Sequence, residues 1–136
     1  MTLSLARFAG LAAATVAGVC AVGSWPTWAL AGSGGLVSMA IAAGISFVGA
    51  IAGYLPSALA SKSLADRVQL AMTGVLARML FTGAAVVLVL LAGLAPSRMP
   101  FVVWTAVDYF TLLALETTVL LRGARDMQGN GGPTAA

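Results

Sequence analysis

The sequence predicts an all-α fold: an integral membrane bundle of four transmembrane helices joined by short loops, with the N- and C-termini cytoplasmic. Three observations lead there. Of 136 residues, 60% are hydrophobic and only 8% charged, against about 25% charged in ordinary soluble domains. The apolar residues do not alternate; they form blocks long enough to cross a hydrocarbon core, which takes about 20 residues as a helix. Outside those blocks the basic residues are lopsided, with Arg7, Lys62, Arg67, Arg122 and Arg125 on one side and Arg98 on the other. Short basic loops stay in the cytoplasm, so the larger group marks the inner face.

The first span covers residues 5–22 and is expected to stop at Gly23-Ser24-Trp25-Pro26, because proline disfavours helix at the residue before it. Trp25 and Trp28 then fall where interfacial aromatic anchors belong. Ala31-Gly32-Ser33-Gly34-Gly35 reads as a flexible break. The second span, residues 36–55, closes at Pro56 and is followed by a polar stretch, Ser57 to Arg67, holding Lys62, Asp66 and Arg67. A third span covers residues 68–94. Pro96 and Pro100 bracket a tight turn, so the third span and the fourth, residues 101–121, are expected to form an antiparallel hairpin. The membrane domain is thus 1–128. Residues 129–136 carry Gly and Pro without an apolar face, and are expected to be disordered.

A second reading of the first span is a cleaved secretory signal peptide, with Arg7, an apolar stretch and the small-residue pattern Ala29-Leu30-Ala31. The bulky approach Trp25-Pro26-Thr27-Trp28 and the weakly basic start argue against it.

Composition narrows the chemistry. There is no histidine, which removes His-based general base catalysis and the commonest metal ligand. Cys20 is the single cysteine, so no internal disulfide exists. With four scattered carboxylates, no metal or cofactor site is expected. No basic stripe with interleaved aromatics suggests nucleic acid. No motif joins a nucleophile to a base, so the chain is not expected to be an enzyme.

Three charges inside the apolar blocks carry the functional signal: Arg78 on the third span, Asp108 and Glu116 on the fourth. An ionised side chain at the bilayer centre costs about 2.5–3.5 kcal/mol on insertion scales and normally faces inward with a partner. On a helical projection Thr105, Asp108, Tyr109, Leu112 and Glu116 share one face, while Val103, Val107, Phe110, Ala114 and Leu121 lie opposite. By helical rise Arg78 lies about 16 Å deep, Glu116 about 9 Å and Asp108 about 21 Å. Arg78 therefore reaches either acid. A pair that only fixes helix register stands beside a functional role, and Glu116 has the further option of snorkelling or pairing with Arg122.

Small residues at intervals of four, namely Ala6, Gly10, Ala14 and Gly18, then Ala40 with Gly44 and Gly49 with Gly53, permit close helix approach. Packing within the bundle and a homo-oligomer seam both fit.

Gly53-Tyr54-Leu55-Pro56 closing the second span, Gly74-Val75-Leu76-Ala77-Arg78-Met79-Leu80 in the third, the Pro96–Pro100 hairpin and the Glu116-bearing fourth span together resemble the ATP synthase I chain family. The likeness covers about residues 34–122. It implies a small bacterial inner-membrane protein of four spans, an accessory factor that helps c subunits of the F-type ATP synthase assemble into a stable ring. A role in magnesium supply has also been proposed for such proteins. In that family's pattern an acid stands three residues before a base in the third span. Here Val75 occupies the acid's place and Arg78 the base's, so Asp108 or Glu116 would have to supply the carboxylate. The missing local acid counts against ion handling at that site. The competing expectation is a small oligomeric ion or proton-coupled transporter or channel subunit built on the same charges.

Overall fold

The computed structural model describes residues 4–59 and 64–129. Among them the chain is all-helical: α1 spans Leu5–Leu59, α2 Leu64–Leu91 and α3 Arg98–Gly129. All three are long and apolar enough to cross a membrane. The four separate spans expected from the sequence are thus replaced by three helices.

The difference lies in α1. Helix continues through Pro26 and Pro56, and the one non-helical residue inside it is Gly32, with φ 61° and ψ −153°. That region of backbone space is essentially reserved for glycine, because any Cβ would clash there. Pro26 merely removes one helical hydrogen bond, a loss that membrane helices tolerate. The expected stop at Gly23 to Pro26 and the loose break over residues 31–35 therefore shrink to a single residue.

At Gly32 the helix doubles back. The rings of Phe8 and Tyr54 stack with centroids 3.9 Å apart, and Ala12 packs with Ala50. Nearer the bend, Thr27 Oγ1 lies 4.0 Å from Met39 Sδ. In a straight helix Phe8 and Tyr54 would stand roughly 70 Å apart at 1.5 Å per residue. Residues 5–31 and 33–59 are therefore two antiparallel limbs, called here the first and second limbs of α1.

Ends are capped by local rules. The Ser4 carbonyl accepts from Phe8 N–H at 3.0 Å, starting α1. α2 stops in a Schellman turn at Gly93, whose φ is 67°: Leu94 N–H donates to the Val89 carbonyl at 3.1 Å and Gly93 N–H to Leu90 at 3.3 Å. Ser97 then caps α3, its carbonyl accepting from Phe101 N–H at 3.2 Å. Pro100 sits in the first turn, where its missing N–H has no helical partner to lose.

The Gly32 bend and the Gly93 turn lie at the same end of the bundle. Ser97 N–H donates to Ser38 Oγ at 3.1 Å, and Trp104 Nε1 donates to Thr27 Oγ1 at 2.8 Å with its ring pressed on Gly23. Arg98 is exposed at this end; Arg7, Arg122 and Arg125 are exposed at the other. A core layer of Ala42, Val89, Ala95 and Phe101 lies next to the turns, and a second, Ala12, Ala50 and Leu112, lies deeper. These layers fix the directions: α3 runs parallel to the second limb and α2 antiparallel to it.

Two expectations shift. α2 and α3 are antiparallel and closely joined, yet each packs against α1 far more than against the other. The polar stretch after Pro56 is not all loop, since α1 reaches Leu59 and α2 begins at Leu64, before Asp66 and Arg67. α3 likewise runs to Gly129 rather than ending at residue 121. Lys62 and the tail 130–136 lie outside the described residues.

Gly32→Ala tests the bend. Space around Gly32 is open, so only backbone strain is added, and unfolding free energy should fall by about 1–3 kcal/mol. The matched control is Gly18→Ala, also in open space but in regular helix, where stability should hold or rise by up to about 1 kcal/mol. Thermal melts in detergent followed by circular dichroism separate the two.

Candidate functional site

The inward face of α3 read from the sequence is the buried face. Thr105, Asp108, Leu112 and Glu116 are buried, while Val103, Val107, Phe110 and Leu121 are exposed. Arg78, on α2, is 0% exposed and among the largest fully buried side chains.

Arg78 gets there through glycine. A Cβ on Gly53 would stand 3.1 Å from Arg78 Cβ and 3.1 Å from the Gly74 carbonyl oxygen, and one on Gly49 would stand 2.9 Å from Thr82 Oγ1. One on Gly74 would collide with the Gly53 carbonyl. Gly49 and Gly53, one turn apart on the second limb, thus receive the ridge Gly74, Arg78 and Thr82 of α2. Backbone contact this close is what small residues at intervals of four permit. The arginine stem crosses the second limb along this groove and delivers its guanidinium to α3.

There Nη1 donates to Glu116 Oε2 at 3.0 Å and Nη2 to the Tyr109 carbonyl at 3.1 Å. The guanidinium carbon lies 4.9 Å from the Tyr109 ring centroid, a cation–π contact. Glu116 is 2% exposed, so it neither snorkels nor pairs with Arg122, which is exposed. Its reading as an interfacial residue is corrected by Arg78, which offers a charged partner in a dry site where a carboxylate gains more than it would at the rim.

Asp108 is different. It is 1% exposed, and neither carboxylate oxygen has a hydrogen-bond partner among the described residues. Ser46 Oγ, Thr82 Oγ1 and Arg78 Nε are buried and unpartnered as well. Buried polar atoms without partners are rare, and each calls for a physical reason. Ser46 and Thr82 escaped notice in the sequence because hydroxyl residues within apolar helices usually bond their own backbone, as Thr105 does to Phe101 here.

Other small-residue pairs face outward among the described residues. Ala6, Gly10, Ala14 and Gly18 of the first limb are exposed, as are Ala40 and Gly44. No group of three or more His, Cys, Asp or Glu side chains suited to a metal is present among the described residues.

No protein-family model matches the chain, nor does any curated protein or solved structure.

Two predictions follow from the Arg78 geometry. Arg78→Met or Glu116→Leu leaves one buried charge unpaired and should lower unfolding free energy by about 3–5 kcal/mol, while the double Arg78→Met, Glu116→Leu should lose less than either single. Unfolding of the four proteins from mixed micelles closes the cycle, and strictly additive losses would refute an interacting pair. Gly74→Ala must push the second limb away from α2 and should lose about 1–3 kcal/mol in the same assay. Gly83→Ala, with open space around it, should lose nothing.

Proposed function

We propose that this protein is a non-enzymatic accessory factor of the bacterial inner membrane, assisting assembly or stability of the c-ring in the membrane sector of an F-type ATP synthase. The observation that carries the reading is a convergence. The residues on which the family resemblance rests, Gly53 with Tyr54, Gly74 with Arg78, and Glu116, meet at one place in the bundle although they come from three helices. The acid missing beside Arg78 in its own helix is supplied across the bundle by Glu116.

In this reading the two limbs of α1 each cross the bilayer. As one straight rod α1 would measure roughly 80 Å, against a hydrocarbon core of about 30 Å; each limb measures roughly 40 Å. With α2 and α3 this makes four crossings, with both termini and the α1–α2 connection on the cytoplasmic side. Arg78, fully buried with both terminal nitrogens engaged, holds α2 and α3 on α1 rather than reaching outward. Contact with a c subunit then runs through the exposed face of α2, where Met72, Leu76, Met79 and Leu80 are more than half exposed.

A photo-crosslinking residue at Met79 should capture c subunits in membranes, and deleting the gene should lower the yield of intact ring. Ion flux in liposomes of the purified protein, with no capture of c subunits and undiminished ring, would favour the transporter reading and end this one.

A further inference from the structure

We propose that Asp108 is the anchor of an exchangeable monovalent-cation site, occupied by a proton or a sodium ion, with the hydroxyls of Ser46 and Thr82 as its neutral oxygen ligands. Charge balance is the starting point. The bundle centre holds one cation, Arg78, and two carboxylates, Glu116 and Asp108, all at most 2% exposed. Arg78 spends its contact on Glu116 at 3.0 Å. If both acids are ionised, one negative charge remains without a counter-charge, and it belongs to Asp108. An isolated buried carboxylate is so costly that it takes up a proton or another cation.

Register brings the hydroxyls to it. Leu112 packs on Ala50, and α3 runs parallel to the second limb. Asp108 lies one helical turn before Leu112 and Ser46 one turn before Ala50, so they occupy the same depth. Thr82 sits beside Gly49, less than one turn from Ser46. All three side chains are buried, and their oxygens are unpartnered. One carboxylate and two hydroxyls from three helical segments form a hard-oxygen set, suited to a proton or an alkali cation and unsuited to soft metals.

The neighbours that would tune it are few. The first limb contributes Cys20, within electrostatic range of Asp108. The second limb contributes the uncharged Ser46, with Tyr54 two turns away. α2 contributes Arg78, already neutralised by Glu116, and α3 contributes Glu116 and Tyr109.

Infrared difference spectroscopy of the full chain in detergent reads the C=O stretch of a protonated carboxylic acid, and Asp108→Asn assigns the band. The expected result is a band lost reversibly as pH rises. Loss at lower pH in sodium chloride than in choline chloride identifies sodium as a competing occupant; identical midpoints in the two salts identify the proton alone. Ser46→Ala or Thr82→Val should move the midpoint of whichever cation is bound by about tenfold, equivalent to about 1.4 kcal/mol. Two results overturn the proposal: a band constant over the whole range in which the protein stays folded, in both salts, or no Asp108 band at any pH. An unmoved midpoint in both hydroxyl variants overturns the ligand set.

Discussion

The bundle is organised around the need to satisfy one guanidinium in a place without water. Arg78 is wholly buried, and its charge has to meet a carboxylate on another helix, because the apolar stretch of α2 around it carries none. The two acceptors it finds, the Glu116 carboxylate and the Tyr109 carbonyl, are both on α3. α2 and α3 also share the Val89 and Phe101 layer near the turn, and this side chain ties them deeper in the bundle. The pair holds α3 against α2 at that depth.

Glycine makes the tie reachable. Arg78 passes along Gly49 and Gly53 of the second limb to reach α3. It does so here because α2 and the second limb approach to backbone contact at Gly53 and Gly74. The small residues and the charge are therefore one device: Gly49 and Gly53 on one side, Gly74, Arg78 and Thr82 on the other. At the far end of the bundle a different set of contacts does the same work with neutral groups, through Trp104 on Gly23 and Thr27 and through Ser97 on Ser38. Ionic and neutral ties thus sit at separate depths, and together they prevent sliding and splaying.

Much of this was legible in the residues. Helicity, the membrane-length apolar blocks and the buried face of α3 followed from periodicity and composition, and the three charges were marked as inward by their cost in lipid. The bend at Gly32 falls within the break expected over residues 31–35, but the stop expected at Gly23 to Pro26 does not occur. Pro26 looks like a strong breaker in water, but a membrane helix keeps its hydrogen bonds across a proline because nothing else competes for them. Reversal requires a backbone conformation only Gly32 adopts, and Gly34 and Gly35 nearby give the same sequence signal without it. The choice between Asp108 and Glu116 was equally hidden. Both lie on one face of α3 within reach of a long side chain, and the decision rests on where the Gly53–Gly74 contact sets the depth of α2, which no single-helix pattern contains.

The resulting inequality between the two acids is the main chemical asymmetry of the molecule. Glu116 has a charged partner; Asp108, two turns away on the same face, has none among the described residues. Were Asp108 merely filler, an asparagine or leucine would pack the position without the desolvation penalty of an acid. Its depth also matters. It lies between the Ala50–Leu112 layer and the Ala42–Phe101 layer, where apolar packing on either side excludes water and magnifies any electrostatic interaction. A proton or cation taken up there would change the electrostatic field at Arg78 and Glu116, the pair that ties α2 to α3.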